Sequence, residues 1–207
     1  MARFARRFVT VQPPQVFVSM PKKPDILDSR VVARSRLFRI EAVNLRFSNG
    51  TEVEYERLRG SGAVGAVIIV PLLDDDTVLL IREYGVGLER YELGLPKGRV
   101  EPGESFAEAS NRELMEEVGF GARSLTPLKA VSLAPGYLGH RTQIMLAEDL
   151  YEKHLPGDEP EPIEVVPYPL ARLDELLLTD PEFTEGRSIA ALSLTQRYLA
   201  RRREGTE

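Results

Sequence analysis

The chain contains no cysteine among its 207 residues, which excludes disulfides and thiolate catalysis. Histidine is nearly as scarce. His140 and His154 stand isolated, and each reads as a surface or loop residue rather than a metal ligand. No apolar run approaches the roughly 20 residues that span a bilayer, so no membrane role is expected. The formal net charge of −5 argues against general nucleic-acid binding. There are no internal repeats. A hydrophobic fraction of 43% over this length is enough for one domain with a real core.

Against these absences stands one dense stretch, residues 98–120, GRVEPGESFAEASNRELMEEVGF. Ser105 and Glu108 have the spacing of a capping box, which starts a helix at Ser105. Gly119 stands where a helix ends in a left-handed residue. Ala107, Leu114 and Val118 form an apolar stripe at a 3.6-residue period. Glu113, Glu116 and Glu117 share another face, because i, i+3 and i+4 are helix neighbours. Three carboxylates on one patch repel each other. A hard divalent cation relieves that repulsion, and Mg²⁺ typically takes one or two carboxylates plus phosphate oxygens. A solvated acidic helix face is the ordinary reading of such a run, but it leaves the placing of the glycines and Arg112 to coincidence.

At these residues the chain resembles the Nudix hydrolases. Gly98, Glu104, Arg112-Glu113, Glu116-Glu117 and Gly119, with apolar Leu114 and Phe120, fit the family's box at every specified position. The resemblance implies an α/β/α sandwich with a mixed sheet, and a Mg²⁺-dependent cut, with Mn²⁺ as alternative, at a nucleoside-linked diphosphate. It implies that Glu113 and Glu117 are the main metal ligands with Glu116 close by. It also implies that Glu104 pairs with Arg112, and that the Lys97 carbonyl reaches the metal.

The rest of the chain fits around that stretch. Residues 1–24 carry five basic residues and no acid, and are expected to be a disordered arm; a targeting peptide, or a natural start at Met20, are the alternatives. Residues 25–60 read as strands, with a hairpin turn at Ser48-Asn49-Gly50-Thr51. In the ADP-ribose-cleaving members of the family such an N-terminal antiparallel extension swaps across a dimer and helps hold adenine. The GSGAVG run at 60–65 matches a dinucleotide fingerprint, but the β-branched AVIIVPLL that follows is a strand, not a helix. Asp74-Asp75-Asp76 reads as a turn. Arg82 at the end of the next strand is a phosphate-pairing candidate, with a rim ion pair as the equal alternative. Glu92 lies where the family borders its nucleotide.

Further on, Pro135 sits sixteen residues past Gly119, as in the ADP-ribose group, although His140 stands where that group often has Glu. The acidic, proline-rich stretch around Asp158, Glu159, Glu161 and Glu164 is by composition a solvated loop. By resemblance, Glu159 is the general base, with Glu116 as substitute, and Glu161 is a further metal contact. Residues 169–179 and 189–203 show helical periodicity.

The domains expected are therefore the arm, the β extension, and a Nudix domain over 61–207. The resemblance is strongest to the members that hydrolyse ADP-containing compounds. It implies ADP-ribose, NADH and short diadenosine polyphosphates as substrates, with Glu92 and Pro135 bordering them; Arg57 and Arg82 are further candidate substrate contacts by their charge, and a cytoplasmic homodimer is expected. The alternatives are an enzyme for another nucleoside diphosphate derivative such as a nucleotide sugar, or a non-catalytic ADP-ribose sensor, which should have lost some of these acids.

Overall fold

A computed structural model describes residues 22–59 and 65–205. The expectations placed on residues 1–21, including the start at Met20, and on the GSGAVG run up to Val64 lie outside the described residues.

Two sheets form. The first is antiparallel, in the order β1 (Asp25–Arg34), β2 (Arg39–Arg46), β3 (Glu52–Arg59). Its β2–β3 turn is the one the sequence marks: Gly50 takes φ +85° and its N–H donates to the Phe47 carbonyl at 2.9 Å. The sheet meets the rest of the chain where Leu58 N–H donates to the Tyr137 carbonyl at 2.8 Å.

The second sheet has seven strands. Its path runs β10 (Glu164–Pro169), β5 (Thr77–Gly85), β4 (Ala66–Asp74), β9 (Arg141–Glu152), β8 (Phe120–Ser132). β4 and β9 are parallel and the other pairs antiparallel, so the sheet is mixed. β4 and β5 pair only beside their connecting turn. Where they part, β6 (Arg90–Gly94) lies on β5 and β7 (Lys97–Arg99) on β4. This fork receives the loop that enters the helix α1 (Phe106–Glu117).

Alternation along the strands builds a core on each face. Ile68, Val70 and Leu80 point to a cluster with Leu176 and Leu192 of the helices α2 (Leu173–Thr179) and α3 (Gly186–Arg203). Val67, Ile69, Leu79 and Ile81 point the other way, to Leu114 and Val118 beside α1. The α/β/α sandwich follows. Each fully buried Leu or Ile contributes roughly 1.5–3 kcal/mol relative to leaving it exposed.

Helix α1 begins as its sequence dictates. Ser105 Oγ accepts from Glu108 N–H at 3.2 Å, and Glu108 Oε2 accepts from Ser105 N–H at 2.8 Å. Gly119 follows with φ +80°. The apolar stripe differs at its start. Ala107 is exposed with the rest of the first turn, and the buried face begins at Ala109 and Ser110, whose hydroxyl bonds back to the Phe106 carbonyl at 2.7 Å. The last helix starts three residues earlier than periodicity suggests. Glu185 caps it, accepting from Ser188 N–H at 2.8 Å. Ser105→Ala is expected to destabilise the fold by about 1 kcal/mol in urea unfolding, the usual worth of an N-cap; an unchanged midpoint would remove the capping box from the account of α1.

Candidate active site

The site is built where α1 lies over β7. A Cβ on Gly98 would fall 1.9 Å from the Glu113 carboxylate, so only glycine lets that carboxylate rest on the β7 backbone. One turn on, Glu117 Oε2 accepts from Lys97 N–H at 2.9 Å. Both carboxylates are buried, at 8% and 7% exposure. Burial raises the pKa of Glu113 despite the bond from Arg112, and nearby Glu116 and Glu159 add to the rise. Burial pushes Glu117 up to about 8; Lys97 works against the shift, and Glu113 and Glu83 add to it.

Arg112 organises the neighbours. It donates to Glu104 at 2.8 and 3.1 Å, to Glu113 at 2.8 Å, to Glu116 at 3.0 Å and to the Arg99 carbonyl at 2.8 Å. One guanidinium thus ties the entry loop, β7 and two acids of the helix together. It does not balance them. Glu117 receives a backbone N–H, while the Lys97 ammonium is drawn to Glu83 at 2.7 Å.

The acidic loop, residues 153–163, closes over this face. Leu155 N–H donates to the Met115 carbonyl at 2.9 Å and Lys153 N–H to the Gly119 carbonyl at 3.1 Å. Glu159 folds back over Gly157, where an added Cβ would meet its Oε2 at 2.3 Å. Glu116, Glu117, Glu159 and Glu161 line one concavity of about 400 Å³. Thus Glu113, Glu116, Glu117, Glu159 and Glu161 are gathered in one region, with the Lys97 backbone among them. Exposed His154 borders the same concavity.

The candidate substrate contacts are more scattered. A second cleft of about 330 Å³ runs from Glu83 and Lys97 past Tyr84, Leu88 and Glu92 to Thr184. Glu92 accepts from Thr184 Oγ1 at 2.6 Å and pairs with Arg90. Arg82 is engaged by Glu164 at 2.9 Å and by Glu182, an arrangement of rim ion pairs. Pro135 lies in the exposed turn between β8 and β9, next to the strand contact of Leu58. In the same connection His140 is half-buried, and burial together with Arg187 and Arg99 lowers its pKa. Arg57 lies on the N-terminal sheet with Arg39 and Arg59, and all three converge on Glu41 at 3.0–3.2 Å. Three cations on one carboxylate leave a positive excess.

Sequence reading missed Arg39 and Arg59, although the hairpin register pairs Glu41 with Arg57 and Arg39 with Arg59, and can be counted back from Asn49-Gly50. It also missed Tyr91, whose hydroxyl donates to Glu161 Oε1 at 2.5 Å; nothing in its local sequence signals that contact.

The NUDIX domain family matches residues 63–191, and the NudE-type Nudix hydrolase N-terminal domain matches residues 24–57. The chain belongs to the Nudix family. It is 53% identical to ADP compounds hydrolase NudE of Escherichia coli over 86% of this chain and 94% of that one. It is 28% identical to an ADP-ribose pyrophosphatase of Bacillus subtilis over 68% of this chain and 78% of that one. A crystal structure of an ADP compounds hydrolase superposes with TM-score 0.83 at 50% identity, covering 92% of this chain and all of that one.

Nudix hydrolases generally use a divalent metal. The residues here fit one: buried hard oxygen donors, short of countercharge, rest against a backbone cradle that a Cβ would fill. Among the described residues no three acidic or histidine side chains form a finished cage, since Arg112 and the Lys97 N–H hold the carboxylates. A cation here would therefore complete its shell with backbone and substrate oxygens.

The raised pKa of Glu117 gives a pH signature. A carboxyl whose folded pKa exceeds its unfolded value of 4.5 stabilises the fold fully below that value and loses the contribution as pH rises toward about 8. In divalent-free buffer the wild type should lose stability across that window. Glu117→Gln should lose less, and at pH 8.5 should be the more stable protein by roughly 1–3 kcal/mol. Parallel pH profiles for the two proteins would show that Glu117 is not strained by burial.

Proposed function

We propose that the chain hydrolyses the diphosphate bond of ADP-containing compounds, releasing AMP, with Mg²⁺ as its ion. ADP-ribose, NADH and the diadenosine di- and triphosphates are the substrates in this reading. The observation that carries it is the pair of buried carboxylates, Glu113 and Glu117, held on the Gly98–Lys97 backbone beneath a loop bearing Glu159. High identity to an ADP compounds hydrolase supports the substrate class.

Glu113 and Glu117, with the Lys97 carbonyl, would hold the ion, with Glu161, whose Oε1 accepts from Tyr91, as a further contact. When bound, a divalent ion supplies charge neutralisation along the diphosphate and acidifies a nearby water. Glu159 takes the proton of the attacking water. Glu116, tied to Arg112, is the substitute base. Water oxygen bonds to phosphorus, the bridging P–O bond breaks, and the leaving phosphate ester departs with the bridging oxygen. Arg82, Glu92 and Pro135 would border the substrate.

Arg57 is proposed to meet phosphate from the N-terminal sheet, where the positive excess around Glu41 suits an anion. We place this contact in a homodimer, because Ile26, Val31, Val32 and Phe38 of the same sheet are 44–53% exposed and need a partner surface. No helix of the described residues is long and apolar enough to cross a membrane, and a cytoplasmic setting is part of the same proposal.

With Mg²⁺ present, AMP release from ADP-ribose, NADH and diadenosine compounds tests the reading. Glu117→Gln should lower kcat by at least about a hundredfold while the circular dichroism spectrum stays native. A fully active Glu117→Gln protein would overturn the site, and binding of ADP-ribose without AMP release by the wild type would mark a sensor instead.

A further inference from the structure

Between the two concavities stands Tyr91, on β6. Its ring meets that of Tyr84, its cross-strand partner, edge to face at 5.4 Å, and Tyr84 lines the cleft that runs past Glu83 and Lys97. On its other side the Tyr91 hydroxyl reaches Glu161 at 2.5 Å, the length of a charge-assisted O–H···O⁻ bond. Glu161 belongs to the loop that carries Glu159 and lines the acidic concavity with it. The first half of that loop is pinned to the end of α1 through Lys153 and Leu155. Its second half, beyond Gly157, is held through Tyr91 at Glu161 and by Ile163, which packs on the core beside α1, before β10 begins at Glu164.

We infer that Tyr91 is a positioning residue: through its hydroxyl it holds Glu161, and so fixes the loop that sets Glu159 against Glu113. This rests on the proposed role of Glu159. The physical reason is the cost of an unpinned loop. Tied only at its two ends, the middle of an acidic loop above two buried carboxylates is pushed outward by like charge, and Glu159 spends less time near the attacking water. Tyr91 itself need not touch substrate. Because its ring also supports Tyr84, the aromatic part and the hydroxyl have separable duties: the ring shapes the cleft wall, and the hydroxyl sets the loop.

Tyr91→Phe keeps the ring and removes only the hydroxyl. It is expected to lower kcat about tenfold, the rate equivalent of one charge-assisted hydrogen bond, with KM within twofold of the wild type and an unchanged melting temperature. In a double-mutant cycle, adding Tyr91→Phe to Glu161→Ala should lower kcat no further. A wild-type kcat in Tyr91→Phe, or fully additive effects in the cycle, would overturn the tether. A fall in kcat matched by a fall in melting temperature would also overturn it, in favour of general support of the fold. Glu159→Gln separates this inference from the reading beneath it. If that variant turns over normally while the cycle is non-additive, the base assignment fails and the tether stands. If Glu159→Gln is inactive and Tyr91→Phe is normal, the tether fails and the base assignment stands.

Discussion

The candidate site is built on two carboxyl groups taken out of water. Glu113 and Glu117 are pressed against β7 where an uncharged side chain would be cheaper to bury. Arg112 answers part of that charge, yet it is shared with Glu104 and Glu116, and the Lys97 ammonium is drawn off to Glu83. A divalent ion at this face would offset the burial cost of ionising the pair, which is the physical basis of the metal site proposed above. The fold tolerates the pair because the same helix buries Leu114 and Val118 on its inner side.

Everything around the pair fixes its place. The fork between β4 and β5, filled by β6 and β7, brings the Gly98 backbone under the helix. The capping box at Ser105 sets the helix start, and hence which turn meets β7. Asn111 Oδ1 accepts from Ala122 N–H at 2.7 Å and locks the helix to the opening of β8. Above this floor the acidic loop is held at Lys153, Leu155, Glu161 and Ile163.

Much of this was legible in the residues, for identifiable reasons. Local rules of short range gave the ends of α1, the Asn49-Gly50 turn and the buried strand AVIIVPLL, because capping, positive φ and β-branching act within a few residues; the starts of α2 and α3, read from periodicity, were misplaced by three or four residues. The box spacing brought Glu113, Glu116 and Glu117 to one helix face, and the family resemblance added Glu159 and Glu161. Contacts that join distant segments stayed hidden. Tyr91 and Glu161 are 70 positions apart, and no periodicity links them. The burial of the acids was hidden too, since a helix of this pattern reads as amphipathic with a wet acidic side, and only the close approach at Gly98 shows otherwise. Ala107 obeys the helical period but falls in a first turn that stays exposed, because period assigns a side and not a depth.

Glu113 and Glu117 are proposed as the seat of a divalent ion that grips a diphosphate. Anomalous diffraction from crystals grown with Mn²⁺ and a non-cleavable ADP-ribose analogue tests this assignment most directly. A manganese peak within bonding distance of Glu113 and Glu117 is expected, with diphosphate oxygens completing its shell. A diphosphate lodged elsewhere, with no peak between those two carboxylates, would contradict it.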